Sequence, residues 1–146
     1  MSNRNFPTAQ DAENAFYDAL ERADLDLMIA VWAEDEDIVC VHPGAPRLAG
    51  VEQVSAAWRS MFAGGPHMRV RATQQVVIAG MMVAVHNVHE SITVQGEAKP
   101  RAPVVATNVY LRTAAGWRMV VHHASPPVSG SAAAAEPPPS STKTLH

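Results

Sequence analysis

Apolar residues recur at helical spacing near the start of the chain. Ala12, Ala15, Phe16, Ala19, Leu20 and Ala23 form one stripe of a first helix. Thr8 followed by Asp11 is a start signal: a side-chain oxygen for the free N–H groups, then an acid near the helix N-terminus. Asp24 caps a second, short helix in which Leu25, Met28, Ile29 and Trp32 repeat at the same period. The acidic run Ala33-Glu34-Asp35-Glu36-Asp37 breaks the pattern as a solvated connection, and Ile38-Val39-Cys40-Val41 is a short β-branched strand. Two prolines and a glycine make His42-Pro43-Gly44-Ala45-Pro46 a loop. A third helix runs over Val51–Phe62, with Val54, Trp58, Met61 and Phe62 on its apolar stripe, and Gly64-Gly65-Pro66 ends it.

Beyond that point the period changes from 3.6 to 2. Met68–Ile78, Met81–Val94, Pro103–Arg112 and Trp117–Ala124 read as four strands. Ala79-Gly80, a loop containing Gly96, and Ala114-Ala115-Gly116 join them as hairpin connections. Three helices followed by an antiparallel meander predict an α+β domain with helices packed on one face of a curved sheet. Residues 1–7 are a polar leader and residues 8–126 the domain. Residues 127–146, rich in Pro, Ala and Ser, are expected to form a flexible tail, since they cannot bury enough apolar surface to offset their ordering entropy. Val76 and Val77, Val104 and Val105, and Val120 and Val121 put apolar side chains on both faces of the sheet. One face covers the helices; the other is expected to pack on a second copy, giving a homodimer.

Composition narrows the function classes. The 146 residues carry 11 Lys+Arg against 14 Asp+Glu, a formal net charge of −3, which argues against a nucleic-acid partner. No apolar run approaches a membrane span and no secretory signal is evident, so no membrane partner is expected. The one cysteine, Cys40, cannot form an internal disulfide, and a reducing, cytoplasmic setting follows as the default. Seven histidines are more than packing requires. None has the i, i+4 or HExxH spacing of a zinc site, and adjacent His122 and His123 point to opposite faces of a strand, so neither metal nor cofactor is expected.

Several local sequences, in order, resemble one family. They are Ala23-Asp24-Leu25-Asp26, Val31-Trp32-Ala33-Glu34-Asp35, His42-Pro43-Gly44, Leu48-Ala49-Gly50, Trp58, Thr107-Asn108-Val109-Tyr110, and Gly116-Trp117-Arg118 through His122-His123-Ala124-Ser125. Over about residues 8–125 the chain resembles the SnoaL-like branch of the ketosteroid isomerase and nuclear transport factor 2 superfamily. It also resembles the association domain of calcium/calmodulin-dependent kinase II, which shares that fold. The resemblance implies a cone-shaped barrel, in which a strongly curved sheet wraps three N-terminal helices and leaves a pocket at its open end, and dimers formed through the sheet. It does not choose between an acid–base catalyst of the isomerase or dehydratase type and a non-catalytic association domain.

The resemblance also directs attention to particular residues. The isomerases place a carboxylate base before the proline that follows the first strand; here that residue is His42. An imidazole there can take and return a proton near neutral pH, or it can simply brace the Pro43-Gly44 turn. Their tyrosine donor falls at Phe16, with Tyr17 adjacent, and their protonated aspartate at Asn108. Pairing Arg112 with Trp117 puts Asn108 opposite Val121 and sends His123 into the pocket and His122 away from it. In the second hairpin, a two-residue turn at Ala79-Gly80 sets two criteria against each other. Hydrophobicity sends Val70, Val83 and Val85 inward, whereas the resemblance sends in His86, Val88 and Glu90. A cross-strand ion pair between Arg69 and Glu90 is the alternative for the latter face. Trp58 and Phe62 are expected to wall a site for a small apolar or mixed-polarity organic ligand, and Trp32 to be core.

Overall fold

The computed structural model describes residues 4–65, 67–99 and 101–127. The tail expected over residues 127–146 therefore lies, beyond Pro127, outside the described residues. Helix α1 spans Ala9–Arg22, α2 Leu25–Val31 and α3 Val51–Gly64. Strands are β1 Val39–Val41, β2 Leu48–Ala49, β3 Met68–Ala79, β4 Val83–Val94, β5 Val104–Thr113 and β6 Gly116–Ala124.

The helix starts follow from the capping residues. Thr8 Oγ1 accepts the Asp11 N–H at 3.0 Å and Asp11 Oδ2 accepts the Thr8 N–H at 3.1 Å, so two end groups are satisfied reciprocally. Ala23 ends α1 in the left-handed conformation (φ 52°), and Asp24 caps α2 by accepting the Leu27 N–H at 3.1 Å. This tight reversal lays α2 against α1. Leu48–Ala49, between the expected loop and α3, forms the short strand β2 against β1.

The strands make one curved, unclosed six-stranded sheet in the order β2-β1-β6-β5-β4-β3. All neighbours are antiparallel except β1 and β6, which run parallel. Phe16, Met28, Val31, Ile38, Trp58, Tyr110 and Met119 fill the space between helices and sheet, each less than 2% exposed. The outer face is left with exposed Val76, Ile78, Val83 and Leu111, Ile78 being 67% exposed.

Two irregularities decide which side chains face inward. The β3–β4 hairpin turns at Met81-Met82, not at Ala79-Gly80: Ala79 pairs with Ala84, and the Gly80 N–H reaches the Val83 carbonyl at 2.9 Å. Beyond it, one extra residue in β3 between Thr73 and Val76 puts Arg71 opposite Ser91, and Ala72 opposite Glu90. In this register Val70 shares the inner face with His86, Val88 and Glu90, as the resemblance implied for β4, whereas Val83, which hydrophobicity sent inward, is exposed on the outer face. Arg69 lies 3.7 Å from Glu21, not against Glu90. Farther along, β3 shifts register between Thr73 and Val76, with Gln74 at φ 49°.

The second irregularity is in β6. Arg112 pairs with Trp117 as expected, but the ladder shifts between Val109 and Tyr110: Tyr110 faces Met119 while Val109 faces Val121. The extra residue, Val120, reverses the parity beyond it. His122, paired with Asn108, is buried; His123 is exposed on the opposite face. The expectation that His123 enters the interior is thereby corrected.

Gly116 closes the β5–β6 turn at φ 104°, and a Cβ there would stand 2.9 Å from both the N and O of Phe6, and against the Asn5 side chain. Gly116→Ala is expected to lower stability by about 2 kcal/mol or more, measured by denaturant unfolding. Wild-type stability in this variant would mean the N-terminal segment does not pack there.

Candidate functional site

Glu13 lies on the inner face of α1, 1% exposed. A buried carboxylate is tolerable only with donors around it. Asn108 Nδ2 donates to Oε2 at 3.1 Å and the Tyr110 hydroxyl at 2.9 Å. His86 Nδ1 stands 3.1 Å from the same oxygen, and Gln75 Nε2, swung in by the β3 bulge, donates to Oε1.

One turn along α1, Tyr17 links this group to a second carboxyl. Its hydroxyl donates to Glu90 Oε2 at 2.7 Å and accepts from Asn108 Nδ2 at 3.0 Å. Burial, then the Glu90 charge, pushes the phenol far above its usual range. Burial also raises the Glu90 pKa to about 7, with the neighbouring Glu13 charge adding to the rise and the Tyr17 hydrogen bond opposing it. His122 Nε2 lies 3.9 Å from Glu90 Oε2. Complete burial, with His42 and His123 near by, holds the His122 pKa down to about 3, so its ring is neutral at pH 7.

His42, at the end of β1, is half-buried and connects the interior to the surface. Its ring meets the Trp58 edge at 4.8 Å and lies 6.4 Å from the His122 ring. Burial lowers its pKa. Cys40 Sγ is 3.7 Å from His42 Nε2; burial, then Glu90, pushes this thiol up to about 12, so it stays protonated. Trp58 packs on Phe16 and Phe62, each with ring centroids at 5.7 Å. Beside Phe62 is a cavity of about 160 Å³, also lined by Leu20, Met61 and Met68. A larger groove of about 990 Å³, between α2 and the β5–β6 turn, shares no lining residue with the cluster.

The structure thus brings together Tyr17, His42, Trp58, His86, Glu90 and Asn108, with Phe62 at the edge, and excludes His123. Tyr17 is fully engaged although it neighbours the expected position at Phe16, because the sheet wraps α1 widely enough to bury both rings. Sequence reasoning missed Glu13, Tyr110 and His122. The readable signal for Glu13 was a carboxylate three and four residues before Phe16 and Tyr17, on a stripe otherwise apolar. Among the described residues no three His, Cys, Asp or Glu side chains are grouped to hold a metal ion, and no helix is long and apolar enough to cross a membrane.

A family profile described as a SnoaL-like domain matches residues 10–129. The chain belongs to the SnoaL-like domain family. One similar solved structure, from Thiobacillus denitrificans, is provisionally named a calcium/calmodulin-dependent protein kinase type II association domain. It is 47% identical with a TM-score of 0.74, covering 84% of this chain and 98% of that one. Another, from Streptomyces avermitilis, is provisionally named a dehydratase of the NTF2-like family. It is 32% identical with a TM-score of 0.72, covering 81% and 92% of the two chains. An NTF2-like protein of unknown function from Pseudomonas putida, 20% identical over 84% of this chain and 87% of its own with a TM-score of 0.72, shares the fold. No curated protein matches the chain. The resemblance read from the sequence is borne out in family and fold.

The Glu90 shift has a consequence for stability. Its pKa is raised in the folded state, so folding gains from the bound proton at low pH and loses that gain as pH rises from about 4.5 through about 7. Glu90→Gln keeps a neutral acceptor for Tyr17 and cannot ionise. Its melting temperature is expected to exceed that of the wild type by several degrees more at pH 8 than at pH 4.5, from a difference of about 3 kcal/mol. A pH-independent gap between the two calorimetric curves would contradict the assigned shift.

Proposed function

We propose that this SnoaL-like domain binds a small organic molecule and performs cofactor-free acid–base chemistry of the dehydratase or isomerase type. The observation that carries this reading is Glu90: a carboxyl inside the cone, poised near neutrality, hydrogen-bonded to Tyr17 and set behind half-buried His42. Perturbed titratable groups converging in one interior are a physical mark of proton-transfer sites. The 32% identity to the dehydratase-named protein of Streptomyces avermitilis favours elimination within this class.

The ligand enters beside His42, Trp58 and Phe62, whose aromatic surfaces suit an apolar or mixed-polarity body. In an elimination, neutral His42 takes the proton from carbon, and the C–H electron pair becomes the new C=C bond. The C–O bond breaks, and the departing hydroxyl takes the Glu90 proton and leaves as water. Proton return from the His42 imidazolium to the Glu90 carboxylate, through solvent, restores both groups. The protonated Cys40 thiol suits the reducing, cytoplasmic setting expected from the sequence.

The test is a panel of small β-hydroxy carbonyl compounds, with elimination followed by absorbance of the conjugated product. His42→Ala and Glu90→Gln are each expected to lower the rate at least ~10²-fold with the fold retained. Turnover unchanged in both variants would overturn the assignment.

A second reading has its own observation. The outer sheet face exposes Val76, Ile78, Val83 and Leu111, and the 47% identical protein is named an association domain. On this reading the domain assembles with a second copy across that face. Light scattering at micromolar concentration is expected to give a dimer, and Ile78→Glu a monomer of unchanged melting behaviour. A monomeric wild type would end this reading.

A further inference from the structure

The acid–base reading uses His42 and Glu90 and leaves a second imidazole in the same interior without a role. His122 is 3% exposed, opposite Asn108 on β5 and Cys40 on β1. Its Nδ1 is 2.6 Å from Asn108 Oδ1. An amide oxygen only accepts, so a hydrogen bond there requires the proton to sit on Nδ1.

The direction of the Asn108 amide decides whether oxygen stands on that side, and its other end is constrained twice. Glu13 Oε2 lies 3.1 Å from Asn108 Nδ2, and the Tyr17 hydroxyl oxygen 3.0 Å. The Glu13 carboxylate can only accept. The Tyr17 proton is committed to Glu90 at 2.7 Å, so that oxygen also needs a donor. Both demands are met only with the NH₂ group toward α1 and the oxygen toward His122. Turning the amide over would set its oxygen against a carboxylate oxygen, whichever tautomer His122 adopts.

We infer that Glu13 and Asn108 are positioning residues that hold His122 in its Nδ1–H tautomer, leaving Nε2 as a hydrogen-bond acceptor beside the Glu90 carboxyl. Nε2 lies 3.9 Å from Glu90 Oε2. An amide between carboxylate and imidazole orients the ring without the direct charge pairing that would favour the imidazolium. His122 therefore remains a neutral base, next to the group proposed to give up a proton. The purpose assigned to this arrangement rests on the acid–base reading; the arrangement itself does not.

The test is made on the full chain labelled with ¹⁵N-histidine, using two-bond ¹H–¹⁵N correlations at pH 7. The His122 ring is assigned by loss of its signals in His122→Phe. The expected wild-type spectrum has a protonated-type Nδ1 and an unprotonated Nε2. Glu13→Gln, which can present a donor to Asn108 in place of an acceptor, is expected to shift the ring toward Nε2–H or an average of the two forms, with the backbone amide spectrum native. Asn108→Ala is expected to lose the pure Nδ1–H signature as well, and serves if Glu13→Gln does not fold. A wild-type Nε2–H tautomer, or a pure Nδ1–H signature surviving in a folded variant, overturns the inference. A wild-type Nδ1–H ring lost in the variants, in a protein without turnover, upholds the positioning and removes only the acid–base reading.

Discussion

The Glu13 carboxylate is the constraint on which the interior depends. Desolvating a carboxylate costs several kcal/mol even after relaxation, and here the cost is offset by donors from two strands, Gln75 on β3 and Asn108 and Tyr110 on β5, with His86 of β4 standing 3.1 Å away. Apolar packing alone would let α1 rotate or slide by small steps. A carboxylate that must meet all these donors admits one setting. Once α1 is keyed this way, Phe16 comes to rest against Trp58 and the His122 ring, and Tyr17 reaches Glu90. The polar centre specifies the arrangement, while the surrounding apolar residues supply the burial.

Much of this arrangement was legible in the sequence because it depends on local chemistry. Thr8 with Asp11, and Asp24, mark helix starts through oxygen atoms that have few other uses there. The change of hydrophobic period after Gly65 marks the passage from helices to meander. His42 before Pro43 and Asn108 in β5 came from resemblance, and both lie in the cluster. The sites that were not legible depend on strand register, and register is set by single irregular residues. Val120 adds one residue to β6 and exchanges the faces of His122 and His123. A bulge between Thr73 and Val76 moves Val70 to the face of Glu90. Neither position carries a glycine or proline that would announce it. Glu13 was missed for a different reason: α1 also carries Asp11, Asp18 and Glu21, an acid in an amphipathic helix normally belongs to the solvated side, and only its place on the apolar stripe set it apart.

The two carboxyls of the interior are not equivalent. Glu13 is surrounded by donors, and such a group is a structural anchor. Glu90 receives one hydrogen bond, from Tyr17, and has an imidazole nitrogen 3.9 Å away, beyond hydrogen-bonding distance. Burial without compensation is why its proton is held up to near neutral pH. A fold that needed only packing at this place would be served better by an apolar residue of the same size. The under-compensated carboxyl, not the well-compensated one, is therefore where chemistry has the stronger claim.

The architecture also separates the polar interior from the apolar outer face. The inner face of the sheet carries His86, Glu90, Asn108 and His122, and the outer face carries Val76, Ile78, Val83 and Leu111. Alternation along each strand places the two sets back to back, so that substitution in one set need not disturb the other. The proposed acid–base chemistry and the proposed self-association would thus make no competing demands on the same side chains.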